Sequence, residues 1–405
     1  MHISTDAITP AHVRLALAIG QHIPDYIDAY YGPPEWQRQA EADGPRPVTE
    51  LAREAADLAM AIADDTEMDP QRRDFLAREA RAMQTSLRIL QGERFTLTEE
   101  TEALYDITPE WVDEAVFEEA HRALNELLPP GDSLVERRMI RKETIKVPIE
   151  PDMPLLHEIV AELCHRTRAR FPLPPDESFE IQLVSDKPWS AYNWYLGDFR
   201  SRIDINTDLP IGITRLAGML AHEGYPGHHT ELAIKESRLV REKGWIEHTV
   251  AVLNSPSCVI AEGIATRALS TLVPDDELVA WYADELFPRA GLGHLDAQRE
   301  RAIDNASRKL SGVPGNAAFL MYDQNADESE IVAYIQRYGL NSEEEAGKAV
   351  GFLKYARSYV FTYHYGGEML DALFAAQGDR DHWFTRLLTE SVTPSQIRAR
   401  TAGGA

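Results

Sequence analysis

Eight consecutive residues, His222-Glu223-Gly224-Tyr225-Pro226-Gly227-His228-His229, form the densest cluster of ligand-type side chains in the chain. Imidazoles this close suggest a bound transition-metal ion, and a carboxylate beside a ligand suggests a base. In the pattern H-E-x-x-H two histidines one helical turn apart reach one metal. Here Pro226 stands at that second position. On a straight helix His228 would lie about 9 Å further along the axis than His222 and be rotated by about 240°. His229 would return to the same face but about 10.5 Å away. Neither pair could sit about 2 Å from one ion, so a shared metal requires the helix to break. Pro226 supplies the break, because it lacks an N–H and its ring collides with the carbonyl of His222. Gly227 then permits backbone angles closed to other residues. Either His228 or His229 could be the second ligand.

A third ligand is expected at Glu262. Ser255-Pro256 reads as an N-cap followed by a first-turn proline, which predicts a helix over 256–272. Glu262 shares a face of that helix with Cys258, Val259, Ala265 and Leu269. A carboxylate on an apolar face must be paired, with an arginine such as Arg267, or must hold a cation. Two histidines and a glutamate leave a fourth position for water, as in catalytic zinc sites. Glu223 would then act as general base toward that metal-bound water. One Zn2+ per chain is the expected cofactor, with other divalent metals allowed. Near the C-terminus Tyr355, Tyr359 and Tyr363 recur every four residues, and His364 and Tyr365 follow before Gly366-Gly367. Tyr363 and His364 are the candidate donors to a developing oxyanion.

The elements that position these residues are mainly helical. Residues 48–64 and 69–90 show three- and four-residue apolar spacing, the second opening on Asp69-Pro70. Another helix is expected from Pro154 to Arg170. Tyr26 to Trp36 reads as a packed loop broken by Gly32-Pro33-Pro34. Phe179–Val184 and Phe199–Asn206 alternate with period two and predict two strands of a small antiparallel sheet, separated by an aromatic loop at Trp189–Tyr195. The expected organisation is one large domain over 1–405. Its N-terminal helical part spans 1–150, and its catalytic part spans 151–405 with the strands near 179–206.

Composition narrows the class. The 405 residues are 44% hydrophobic and 26% charged, which is globular, and the net charge is −25. A surface this acidic repels nucleic acid and anionic lipid. Cys164 and Cys258 are too few for a disulfide framework or a cysteine zinc site. The start has no basic segment followed by an apolar one, and no apolar run approaches the roughly 20 residues that span a bilayer. The expectation is a cytoplasmic protein with no membrane or nucleic-acid partner. A peptide or small amide is the expected substrate, and a homodimer is left open.

The stretch HEGYPGHHTE, His222 to Glu231, resembles the signature of a widespread bacterial family of uncharacterised proteins carrying HE-x-x-PGHH. That family is similar in fold to carboxypeptidase Taq and, through it, to the helical peptidases related to neurolysin and angiotensin-converting enzyme. The resemblance covers about Asp198 to Arg400. It implies a large helical metallopeptidase-like body with an edge strand over the metal. It favours His228 over His229 as second ligand, matches Glu262-Gly263 to a Glu-Gly pair, and matches Tyr363-His-Tyr-Gly366 to a Tyr-x-x-Gly segment. The function it implies is a zinc-dependent, carboxypeptidase-like hydrolase. Two other readings compete. One is an inactive binding module on the same fold. The other is a di-iron carboxylate protein using Glu118-x-x-His121 and Glu162-x-x-His165. Arg200, Arg202 and Arg357 are the candidates to hold a substrate carboxylate.

Overall fold

A computed structural model describes residues 5–150, 153–187, 189–208 and 211–402. The extreme termini and the expected boundary at residue 151 lie outside the described residues. The chain is mainly helical with small sheets. Helices run over Val48–Asp64 and Pro70–Leu90, as the apolar spacing predicts. The first buries Leu51, Ala55, Leu58 and Ile62. In the second, Asp69 caps the backbone N–H of Arg72 at 2.9 Å and Pro70 occupies the first turn. Together with the helix Thr5–Gly20 they enclose one apolar cluster. The helix Pro154–Arg170 buries Leu155, Leu156, Ile159 and Leu163 in a second cluster, which runs beneath the sheet and the helices of the site.

Seven short strands are present among the described residues: β1 (Ile27–Tyr30), β2 (Lys146–Val147), β3 (Ser178–Val184), β4 (Ala191–Gly197), β5 (Arg200–Asn206), β6 (Ile211–Gly212) and β7 (Val250–Val252). Two expectations are corrected here. The aromatic segment taken as a loop is largely strand β4, and the sheet is mixed rather than antiparallel, in the order β3-β5-β4. β4 and β5 form an antiparallel hairpin, with Asn193 opposite Ile203 and Trp194 opposite Arg202. Its tight connection needs left-handed backbone at Gly197, Asp198 and Phe199 (φ 76°, 51° and 58°). With β4 on one edge of β5, β3 takes the other edge in parallel register, Ile181 opposite Ile203. Aromatics on both faces of β4 hide its period-two pattern: Tyr192 and Trp194 pack against each other on one face while Tyr195 is buried on the other.

The loop expected at Tyr26–Trp36 contains β1, which pairs antiparallel with β7. This pairing carries the N-terminal part of the chain to the start of the helix Pro256–Leu272. That helix crosses the helix Phe361–Gln377 at very close range. A Cβ on Gly263 would meet the carbonyl oxygen of Gly366 at 2.7 Å, and one on Gly366 would meet that of Val259 at 2.6 Å. The two backbones touch there, and only glycine fits at both positions.

Candidate metal centre

The helix Ile213–Glu223 ends at Gly224, and a new helix, His228–Lys235, begins after Gly227. Four residues therefore lie outside helical geometry between the two histidines. The Gly227 N–H donates to the carbonyl of Ala221 at 2.9 Å, folding the chain back on itself. A Cβ on Gly227 would lie 1.8 Å from the carbonyl oxygen of His222, so no other residue fits the turn. The reversal brings the imidazoles of His222 and His228 together, with ring centroids 4.8 Å apart and planes nearly perpendicular.

Glu262 meets them from the second helix. Its Oε2 lies 3.6 Å from His222 Nε2 and 3.9 Å from His228 Nε2. One ligand atom from each residue falls within 4.8 Å of the others, the one such group of three or more among the described residues. Bonds of about 2.1 Å in a tetrahedron place ligand atoms about 3.5 Å apart, so a small closure of these side chains fits a divalent ion. Further observations support the fit. Glu262 Oε2 is buried with no hydrogen-bond partner, whereas Oε1 accepts from the Tyr359 phenol at 2.7 Å. Burial holds His228 down to about 4 and His222 well below its ordinary range, so both imidazoles are neutral, the form that binds metal. Burial also pushes the Glu262 carboxyl up to about 8, as expected for an acid with no cation beside it. Arg267, the expected alternative partner for Glu262, bonds Asp371 instead, at 2.9 Å.

His229 points elsewhere. It is fully buried, with Nδ1 2.8 Å from Ser201 Oγ and Nε2 2.7 Å from Glu177 Oε2. The same carboxylate accepts from Tyr225 at 2.6 Å and pairs with Arg168. Burial alone would raise Glu177, but the bonds from His229 and Tyr225 outweigh it and hold the carboxyl low. This network anchors the turn from behind, so of the two candidate histidines only His228 joins the ligand group.

Glu223, Tyr359 and Tyr363 line the same cavity of about 700 Å³ as His222, His228 and Glu262. Glu223 is 7% exposed, and the Asn193 side-chain amide donates to its backbone carbonyl at 2.8 Å. Burial, then the charges of Glu262 and Asp28, raise its carboxyl well above the usual range. Tyr363 is partly exposed along its ring, but desolvation of its phenol, then Glu262, likewise keep it protonated and able to donate. His364 is corrected: successive helical residues diverge by about 100°, and its Nδ1 lies 2.9 Å from Ser311 Oγ, outside the cavity. The two Glu-x-x-His pairs do not converge either. His121 meets the carbonyl of Tyr338 and Glu162 pairs with Arg166. Sequence reasoning missed Tyr359 as the partner of Glu262, although the tyrosine stripe held the signal. It also missed Asp28 and Glu177, for which no local pattern exists.

No protein-family model and no curated protein matches the sequence. Solved structures do match. One is the "putative lipoprotein" of Colwellia psychrerythraea, 14% identical, aligned over 87% of this chain and 66% of its own length, with a TM-score of 0.54. Another is a "putative lipoprotein of unknown function" from Shewanella oneidensis, 12% identical, aligned over 90% of this chain and 75% of its own, with a TM-score of 0.50. A third, BsuCP, is 12% identical over 97% of this chain and 90% of its own at a TM-score of 0.39. This chain thus spans just under two thirds of the Colwellia structure, and the first two likenesses concern the fold alone. No helix among the described residues is long and apolar enough to cross a membrane.

Proposed function

We propose that this chain is a metal-dependent hydrolase of peptide or small amide substrates, with one divalent ion, zinc foremost, held by His222, His228 and Glu262. The observation that carries the reading is the convergence of two neutral imidazoles on a buried, unpartnered carboxylate oxygen beside Glu223. The resemblance of HEGYPGHHTE to the HE-x-x-PGHH signature supports the same assignment. Such an ion supplies positive charge that polarises an amide carbonyl and makes water more acidic.

The chain's own groups divide the remaining work. Glu223 takes the proton from the attacking water and passes it to the leaving nitrogen. Burial and the neighbouring carboxylates favour the protonated form of Glu223, and a cation held beside it would favour the ionised base. The Tyr363 phenol donates to the oxygen on which negative charge develops. Tyr359 orients Glu262 through the 2.7 Å bond to Oε1, leaving Oε2 free for the ion.

The test is a pair of variants assayed for metal and for turnover on a peptide library. Glu223→Gln should retain one metal per chain and lose turnover by about 100-fold or more, the usual range for a general base. Glu262→Ala should lose both. A Glu223→Gln protein as active as its parent removes the base from the scheme. A parent protein with no metal and no hydrolysis removes the reading altogether.

A further inference from the structure

Besides Glu262, seven carboxylates line the cavity; three of them have a cation, while Asp25 accepts from the Tyr355 phenol and Glu79 from the Ser257 N–H. Glu100 pairs with Arg357 and Glu247 with Arg72, at 2.7 and 2.6 Å. Glu231 pairs with Lys235 at 2.5 Å through one oxygen. Asp28, on β1, accepts from the Tyr192 phenol, and the charge it feels is the like charge of Glu231. A second observation is independent of the charge count. Glu231 is 2% exposed, yet its Oε2 meets no donor.

The arginines expected to grip a substrate carboxylate are not free to do so. Arg357 is held by Glu100 and stacked on Tyr322 at 4.4 Å. Arg202 bonds Asp204 at 2.8 Å, and Arg200 is largely exposed beside Asp198, both outside the cavity. The lysines lining the cavity are Lys235, already bonded, and Lys187 on an exposed turn. A carboxylate entering here would meet like charge. An ammonium group brings three N–H donors and the opposite charge.

We infer that the cavity takes its substrates by an ammonium group held between Asp28 and Glu231. The inference deepens the hydrolase reading and rests on it only for the word substrate. Within that reading it places cleavage toward the amino end of a peptide rather than the carboxyl end.

The binding step is tested without turnover. Calorimetry on the full chain as purified, at neutral pH, compares hexylamine, hexan-1-ol and hexanoate. Hexylamine should bind at least tenfold tighter than either other probe. Its affinity should fall at least tenfold in Asp28→Asn and in Glu231→Gln, with circular dichroism showing that each variant folds. The inference is overturned if hexylamine binds no tighter than hexan-1-ol or hexanoate, or if either substitution in a folded chain leaves its affinity unchanged. Hydrolysis of free and N-acetylated peptides is assayed in parallel. Equal cleavage of both kinds overturns the inference while leaving the hydrolase reading intact. Amine preference without any hydrolysis does the reverse.

Discussion

Glu262 is the residue on which the site turns. A carboxylate buried on a helix face is costly unless both oxygens are satisfied. One oxygen is satisfied by Tyr359, and the other faces two neutral imidazoles that cannot donate positive charge. Tyr359 thus acts through Glu262, fixing which oxygen points at the histidines. Partners of this kind usually account for about 10- to 100-fold in metal affinity. Tyr359→Phe should therefore weaken metal binding by about that factor in a chelator competition while leaving the circular dichroism spectrum intact. An unchanged affinity would show that the Tyr359 bond does not orient the ligand. His229 illustrates the opposite role, since its contacts with Ser201 and Glu177 fix the backbone that presents His228.

Two backbone contacts decide whether the elements bring these residues together. The turn at Gly227 reverses the chain, and the Gly263–Gly366 crossing sets the distance between Glu262 and the tyrosine stripe. A methyl on Gly366 would lie 2.6 Å from Val259 O and 2.8 Å from Gly263 N, both backbone atoms that cannot swing aside. Gly366→Ala should lower stability by about 1–3 kcal/mol, the usual cost of overpacking, and should weaken metal binding as the helices part. Gly347 is the control. It lies inside the helix Glu343–Ala356 with nothing within 4 Å of its added Cβ. Gly347→Ala should raise stability by up to about 1 kcal/mol through helix propensity. Urea midpoints of the two variants measure both effects, and equal midpoints would contradict the close crossing.

At the scale of the molecule, the cavity lies where the N-terminal helices and β1 meet the helices of the site, so its walls come from distant parts of the chain. Burial there has a pH signature. His12 is 2% exposed and burial holds it down to about 4, while an unfolded histidine titrates near 6.5. Between those values the unfolded chain takes up a proton that the folded chain refuses. The histidine's contribution to stability is therefore complete above about 6.5 and is lost as the pH falls toward 4. From pH 7 to pH 5 the loss is on the order of 2 kcal/mol for this one group. Comparing urea midpoints of the parent and His12→Leu at both pH values isolates it. The parent should lose more than the variant on acidification, and parallel losses would show that His12 is not buried in its neutral form.

The sequence by itself determined what depends on neighbours in the chain. Pro226 and Gly227 dictate a helix break through local sterics, and apolar spacing with Asp69-Pro70 and Ser255-Pro256 marks helices whose capping and periodicity are local. The apolar face around Glu262 likewise announces a carboxylate in need of a partner. Tertiary structure alone decided the rest. It took His229 out of the ligand group, a choice the helix break by itself left open, because Ser201 on β5 and Glu177 just before β3 hold its ring. It turned Tyr192 to Tyr195 into strand β4, because hairpin closure at Gly197–Phe199 fixes its pairing and aromatics on both faces conceal its period. It also brought Asp28 to the site through the pairing of β1 with β7, more than two hundred residues apart, a contact that no local pattern records.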